Sequence, residues 1–280
     1  MTSRRLRRSD LHAPFRGIRT LELPESLAAR CRALAPVMSA SQHFSHVTAA
    51  RLWGIPLPAD FEAAADLHVS THQRPPERRG VIGHRTAARR DVYLLEGLPV
   101  VAPADAWCDL ASVRLPGGRL LTLNELIVAG DRLLGWPTPL ALNGEIDEAL
   151  HRHRGSRGSR MLRLAHAEMR AGSGSPRETL LRLLIARSGA GYPTPELNGP
   201  IRLSRGGTIY GDLVFRRQKV LAEYDGGQHR TETRQFLRDV DRHNDLANDG
   251  WQVIRVHSRT PDRRILSLLD AALRARGWQP

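Results

Sequence analysis

The sequence predicts a mixed α/β protein: an N-terminal α+β domain, then a C-terminal domain with the order helix, three strands, helix, strand, helix. Its 280 residues, 41% of them hydrophobic, can build the cores of two ordinary domains. Helical apolar periodicity alternates with short β-rich runs along the chain. A glycine- and serine-rich break spans 171–175. We therefore expect a basic tail over 1–20, an α+β domain over 21–150, a basic helical linker over 151–175 and a second domain over 176–280.

The first domain is predicted from apolar spacing and β-rich runs. Helical spacing predicts helices over 24–38, 41–54, 103–111, 120–134 and 145–153, with another over 159–170 in the linker. β-rich runs predict strands over 67–70, 81–84, 92–95 and 98–101. The histidines of this domain match no standard zinc-ligand spacing. We interpret them as ordinary surface or core residues: His43, His46, His68, His72 and His84.

The second domain begins with a strong helix-start signal. Ser175 is the expected N-cap, Pro176 follows it, and Glu178 completes a capping box. Glu178 could also be a carboxylate aimed at a later site, and the two roles can coexist. The helix over 175–188 is followed by predicted strands over 195–203, 209–215 and 220–224, a helix over 231–249, a strand over 251–256 and a helix over 265–275.

An acidic hairpin lies at the centre of the second domain. Asp212 is on its first strand, and Glu223 and Asp225 are on its second. Side chains alternate along a strand, so Glu223 and Asp225 point the same way and Tyr224 points opposite. If Asp212 lies across from them, three carboxylates converge, and their mutual repulsion would be offset by a divalent cation. Oxygen ligands of this kind suit Mg²⁺, with Mn²⁺ as the alternative.

Charge and cysteine content indicate the partner and the compartment. The chain has 42 Lys and Arg against 29 Asp and Glu, a net charge of +13. Such a chain attracts polyanions, foremost nucleic acid, although an arginine-rich genome would also explain the excess. Cys31 and Cys108 are interpreted as small core residues in a reducing compartment. No apolar segment follows the basic N-terminus or approaches the roughly 20 residues of a membrane span. We expect a cytoplasmic protein without membrane contact.

The second domain resembles the PD-(D/E)xK nuclease superfamily, and more closely the DUF559 group related to very-short-patch-repair endonucleases. The matching residues are Glu178, Tyr210-Gly-Asp212, Leu221 to His229, Phe236 to Asp239, Arg242, Leu246 and Gly250 to Arg255. The first domain resembles the AbiEi-type antitoxin region that is often fused upstream of DUF559 domains. That resemblance is carried by Phe44 to Pro56, Val101 to Leu110 and Ala129 to Asp131.

The resemblance implies a metal-dependent nuclease site. Asp212, Glu223 and Asp225 would bind Mg²⁺ or Mn²⁺, and the catalytic set would add Glu178, Gln228 and His229. The superfamily pattern expects a lysine where this chain has Asp225, so that role would either be lost or pass to Gln228, His229 or Lys219. Phosphate contacts would come from Lys219, Arg238, Arg242 and Arg255.

Each of these assignments has an alternative. Arg238 and Arg242 could instead pair with Asp239, Asp241 or Asp245, and His229 could be a plain loop residue. The acid cluster itself could be structural or decayed. The sequence therefore predicts a Mg²⁺-dependent endonuclease acting on nucleic acid, with DNA as the expected substrate. The alternatives are a non-catalytic nucleic-acid-binding or toxin–antitoxin-type regulator, and an interaction module with a basic surface. The oligomeric state is not indicated.

Overall fold

The computed structural model describes residues 10–86, 90–115, 118–225 and 233–280, with side chains omitted for 233–239. It confirms the mixed α/β class, with one mixed sheet in each half of the chain. The chain divides into two compact units. Unit 1 comprises Met1–Leu134 and Pro139–Met169, and unit 2 comprises Gly135–Thr138 and Arg170–Pro280. No helix in the described ranges combines the length and apolar character that crossing a bilayer requires.

The sheet of unit 1 contains β1 (His43–Phe44), β2 (Leu67–Thr71), β3 (Val81–Arg85), β4 (Val92–Leu95) and β5 (Leu98–Val101). Their order is β3-β2-β1-β5-β4. The pairs β1–β2 and β4–β5 are antiparallel, and the pairs β1–β5 and β2–β3 are parallel. β1 lies inside the segment 41–54, which the sequence predicts to be entirely helical. Phe44 is fully buried and opposite Val69, so sheet pairing overrides the helical pattern there.

The helices of unit 1 are α1 (Leu27–Leu34), α2 (His46–Leu52), α3 (Ala59–Glu62), α4 (Pro103–Leu110), α5 (Leu123–Leu133), α6 (Asn143–Arg152) and α7 (Ser159–Glu168). α4 is buried along its whole length. A capping box starts α5: Thr122 Oγ1 accepts from the Glu125 backbone N–H at 3.3 Å, and the Glu125 carboxylate accepts from the Thr122 N–H at 2.8 Å. α7 packs against α5, and the contacts place it within unit 1 rather than in a separate connector.

Unit 2 has the predicted order of elements, which are α8 (Pro176–Ala186), β6 (Glu196–Arg202), β7 (Thr208–Phe215), β8 (Val220–Asp225), α9 (Thr233–Asn248), β9 (Gln252–His257) and α10 (Asp262–Ala275). The sheet order is β6-β7-β8-β9; β8–β9 is parallel and the other two pairs are antiparallel.

The sheet of unit 2 is covered on both faces. One face packs against α8 and α10 through residues that include Leu213, Ala222 and Leu269. The other face packs against α9, where Leu221 meets Leu246. Burial of apolar side chains on both faces holds β7 and β8 in register, and this fixes the backbone from which the acidic side chains project.

Candidate functional site

Two acidic residues of unit 2 come from neighbouring strands. β7 and β8 pair Leu213 with Ala222, so the next step along the hairpin brings Asp212 beside Glu223. The Tyr224 backbone N–H donates to Asp212 Oδ2 at 2.8 Å. The Asp212 side chain therefore accepts the hydrogen bond that a backbone carbonyl would accept in a regular sheet, at the point where the pairing of β7 and β8 ends.

The strands are irregular where Asp212 projects. Ile209 packs in the same cluster as Val214, although odd and even residues of a regular strand face opposite sides. Asn198, which faces this point from β6, has a left-handed φ of 44°. An added Cβ at Gly211 would overlap Leu221 and lie 3.0 Å from Val214 Cγ2. Such irregularities re-aim side chains near functional sites, and here the residue affected is Asp212.

Asp212 is a carboxyl in an unfavourable electrostatic environment. Burial is the largest cause that raises its pKa to about 7, and the carboxylates of Glu178 and Glu223 add to the rise. The Tyr224 N–H and Arg242 lower its pKa but do not offset those effects. A carboxyl whose pKa is raised by neighbouring negative charge is a common feature of functional sites and of cation sites that lack their ion.

Glu178 lies at the start of α8 and reaches toward the sheet. Ser175 Oγ accepts from the Glu178 backbone N–H at 3.2 Å, as the predicted N-cap requires. The Glu178 carboxylate accepts from the Gly174 N–H at 2.7 Å, not from the Ser175 N–H as a capping box would. It also accepts from Asn198 Nδ2 at 2.8 Å. Glu178 thus combines helix capping with an electrostatic effect on Asp212.

Asn198 is a site residue that the sequence analysis did not identify. Its Nδ2 donates both to Glu178 and to the Gly172 carbonyl, the latter at 2.6 Å. It therefore connects the start of α8 to β6 beside Asp212. No motif or spacing marks Asn198 in the sequence, because its role depends on the pairing of β6 with β7.

Glu223 is buried and paired with a cation. The Arg242 guanidinium on α9 forms an ion pair with Glu223 and also donates to the Tyr210 carbonyl at 2.8 Å. The partners of Arg242 considered from the sequence were Asp239, Asp241 and Asp245. In the structure, its ion-pair partner is Glu223. Arg242 is therefore directed at the acidic site and offsets the charge of one of its members.

Asp225 lies two residues beyond Glu223 on β8, and Arg255 lies on the neighbouring strand β9. Arg255 is opposite Glu223 in the β8–β9 register, and its guanidinium is 4.0 Å from the Asp225 carboxylate. In the described ranges, one group of at least three His, Cys, Asp or Glu residues has its ligand atoms within 4.8 Å of one another. The members of that group are all histidines of unit 1. Asp212, Glu223 and Asp225 thus share one region without forming a preassembled group of that spacing.

Lys219 lies at the opposite end of the hairpin from the acids. It occupies the turn in a left-handed conformation, with φ of 49°, and its Nζ donates to the Asp249 carbonyl at 2.9 Å. Glu223 lies four residue steps further along the chain, or about 13 Å at the usual rise of a strand. Lys219 therefore stabilises the end of α9 and does not stand in for a lysine beside the acids. Gln228, His229 and the side chain of Arg238 lie outside the described residues.

Unit 1 contains a second group of chemically versatile side chains, around His46, His68 and His84. The sequence analysis interpreted these residues as ordinary histidines because their spacing along the chain is irregular. They converge because β2 and β3 pair and because α2 begins next to β1.

None of the protein-family models, curated proteins or solved structures compared with this chain matches it.

Proposed function

We propose that the protein is a metal-dependent endonuclease that hydrolyses phosphodiester bonds of DNA, with its site in unit 2. The observation that carries the proposal is the environment of Asp212, a half-buried carboxyl whose pKa is raised to about 7 by burial and by Glu178 and Glu223. Carboxylates that share one region suit a hard divalent cation, because oxygen ligands and negative charge are what Mg²⁺ prefers. The resemblance to DUF559 nucleases points to the same residues.

Asp212 and Glu223 would hold the Mg²⁺ or Mn²⁺ ion, with Asp225 as a further carboxylate. When bound, the ion would supply the Lewis acidity that polarises a phosphodiester and activates water near neutral pH. The chain's own residues orient this set. Asn198 fixes the Glu178 carboxylate, and Arg242 holds Glu223 until a cation competes for it. Arg255 is the cation nearest to Asp225 among the described ion pairs.

Exposed arginines support a polyanionic partner. The chain carries a net charge of +13, and several arginines on α7 and in the loop before it are exposed: Arg154, Arg157, Arg160 and Arg163. Arginines on one surface segment attract phosphates and make binding depend on salt. The two free, buried cysteines, Cys31 and Cys108, agree with the proposal that the protein acts in the reducing cytoplasm.

The proposal is tested by nicking of supercoiled plasmid with Mg²⁺ or Mn²⁺. We expect the parent to nick, and Asp212→Asn and Glu223→Gln to lose at least about 100-fold in rate, because each removes a charged ligand. Glu196→Gln is the matched control, since Glu196 is an exposed strand glutamate of the same sheet paired with Arg216. Failure of the parent to nick with either ion, or equal nicking by Asp212→Asn, would reject the nuclease assignment.

A second candidate is a non-catalytic nucleic-acid-binding or toxin–antitoxin-type regulator that retains a nuclease fold. The ion pair between Arg242 and Glu223 favours it, because that arginine already neutralises one ligand, and so does Asp225 in place of a lysine. Filter binding of DNA and RNA over a salt series tests this candidate. Tight, steeply salt-dependent binding without cleavage would support the regulator. Salt-independent binding, or none, would favour an interaction module instead.

A further inference from the structure

Three histidines of unit 1 converge in its sheet. His46 begins α2, His68 lies on β2 and His84 lies on β3. His68 Nδ1 is 2.9 Å from His84 Nε2, and the His46 and His84 rings are stacked with centroids 3.6 Å apart. One ring nitrogen from each residue lies within 4.8 Å of the others. In the described ranges, no other group of at least three potential ligands meets that spacing.

The environment keeps these imidazoles neutral. His46 and His68 are buried, with relative exposures of 6% and 4%. Burial is the main cause that lowers the pKa of His68 and of His84 to about 3, and it also lowers the pKa of His46. Neutral imidazole retains the lone pair that binds a metal, whereas the protonated ring does not. Burial therefore favours the neutral, metal-binding form of these rings.

A carboxylate and a hydroxyl engage the other side of His46. His46 Nδ1 is 2.9 Å from Ser45 Oγ and 3.5 Å from Asp109 Oδ2. Ser45 Oγ accepts in turn from Ser70 Oγ at 2.6 Å. Metal-binding histidines commonly use one ring nitrogen for the metal and the other for a carboxylate that fixes the ring. With Nδ1 engaged in this way, Nε2 of His46 is the nitrogen left for a metal.

The backbone of His46 is held in an unusual conformation. Its φ is 50°, a left-handed value that residues other than glycine seldom adopt. The burial of Ser45 and the Ser70–Ser45–His46 hydrogen bonds hold this conformation in place. Disfavoured backbone that the surroundings maintain is found preferentially at functional sites. Here the His46 ring lies against those of His68 on β2 and His84 on β3.

We infer that His46, His68 and His84 form a binding site for one divalent transition-metal ion of the Zn²⁺ type, with Asp109 orienting His46. Tetrahedral metal–nitrogen bonds of about 2.0–2.1 Å place the ligand atoms about 3.3 Å apart. The nitrogens of His68 and His84 would therefore separate by a few tenths of an ångström, and the stacked rings would turn to aim their lone pairs at the ion. In the His68–His84 hydrogen bond, one of the two ring nitrogens carries the shared proton. On metal binding that ring would carry its proton on its other nitrogen, so both rings would remain neutral.

The ligand set also indicates which metal binds. Imidazole nitrogens suit Zn²⁺, Co²⁺ and Ni²⁺ rather than Mg²⁺, which prefers oxygen. Three protein ligands leave a fourth position for water or a small ligand, as in metal sites that act chemically. His84 is the partly exposed member of the group, so that position is expected on its side. This site is independent of the acidic site in unit 2 and of the nuclease proposal.

Metal binding by the full chain tests the inference, with Asp212→Asn as the background so that the acidic site does not contribute. Chelator-treated protein is dialysed against Zn²⁺ or Co²⁺, and bound metal is measured by mass spectrometry and by Co²⁺ visible absorption. We expect one ion per chain, and a loss of affinity of at least about 100-fold in His68→Gln and His84→Gln, since the loss of an outer partner alone costs about 10–100-fold. The matched control is His151→Gln, because His151 is an exposed histidine of the same unit and binding should be unchanged.

X-ray absorption of the Zn²⁺-loaded chain provides a measurement that does not depend on variants folding. We expect scattering from three imidazole nitrogens. A stoichiometry near zero, an oxygen-only environment, or undiminished binding by a folded His84→Gln variant would each overturn the site. Circular dichroism establishes which variants are folded. Nicking activity does not enter this experiment, so the two proposals stand or fall separately.

Discussion

Asp109 in unit 1 is a buried aspartate and Asp212 in unit 2 is a half-buried one, and their pKa values move in opposite directions. Burial raises the pKa of each. At Asp109 it is outweighed by neighbouring basic groups, among them the hydrogen bond from His153 and the guanidinium of Arg90, so the pKa lies well below its usual range. At Asp212 the nearby Glu178 adds to burial, and the pKa rises to about 7. The sign of the neighbouring charge, rather than burial, separates a satisfied structural acid from one that can accept a cation.

The surroundings of Asp109 show how complete that compensation is. Arg90 donates to Asp109 at 3.0 Å and His153 Nε2 lies 3.1 Å from it. The neighbouring Asp105, fully buried on α4, accepts from Arg152 at 2.7 Å. Each buried carboxylate of this network has a cation within hydrogen-bond reach. Asp212 accepts a backbone N–H instead, and that contrast can be tested by substitution.

The largest effect is expected for Asp109→Ala. Removing this carboxylate takes from Arg90 and His153 their nearer buried partner and leaves Asp105, at 3.3 and 3.7 Å, so we expect a loss of about 3 kcal/mol in the free energy of unfolding, the lower end of the cost of breaking a buried pair. Urea denaturation at pH 7 measures it. Because the pKa of Asp109 is lowered on folding, the stabilisation is present above about pH 4 and is lost as the pH falls further. A loss below about 1 kcal/mol would mean that the network is not a stabilising unit.

Gly211→Ala is expected to have the next largest effect, in unit 2. The added methyl group would overlap Leu221 on β8, and overpacking of this kind costs about 1–3 kcal/mol. The same shift would move Asp212, so nicking should fall together with stability. Gly144→Ala is the matched control, because an added Cβ there meets nothing within 4 Å. Equal stability of the two variants would contradict the packing at Gly211.

Asp212→Asn should stabilise the protein at pH 8, by about 1–2 kcal/mol given partial solvent screening. The pKa of Asp212 is raised on folding. The contribution of Asp212 to the free energy of unfolding is therefore most favourable below about pH 4 and is lost as the pH rises through about 7. The difference from the parent should therefore disappear near pH 4. Denaturation at both pH values measures it, and Asp249→Asn should change stability in the opposite direction, because the pKa of Asp249 is lowered by Ser204. A less stable Asp212→Asn at pH 8 would contradict the assigned electrostatics.

The smallest effect is expected for Glu196→Gln. Glu196 and Arg216 form an ion pair in which each side chain is nearly half exposed, at 48% and 46%. Surface pairs of this kind contribute about 0–1 kcal/mol and are weakened by salt. We therefore expect little change in urea denaturation, and less at high salt. A loss of stability as large as that expected for Asp109→Ala would mean that solvent exposure does not distinguish weak surface ion pairs from strong buried ones.

The class of the fold and the elements of unit 2 could be predicted from local patterns in the sequence. Capping at Ser175 starts α8 within one residue of the prediction, and the apolar runs mark β7 and β8. The sequence also identified Asp212, Glu223 and Arg242 as residues of one region. These features could be predicted because caps, alternation and apolar periodicity act over a few neighbouring residues.

Which charged groups come into contact could be read from the tertiary structure alone. It pairs Arg242 with Glu223, places Asn198 beside Glu178, moves Lys219 to the far end of the hairpin and brings together histidines that are 22 and 16 residues apart along the chain, at positions 46, 68 and 84. It also turned part of a predicted helix into β1. Electrostatic and metal-ligand contacts depend on distances between elements, which strand pairing and core packing set and which local sequence patterns do not encode.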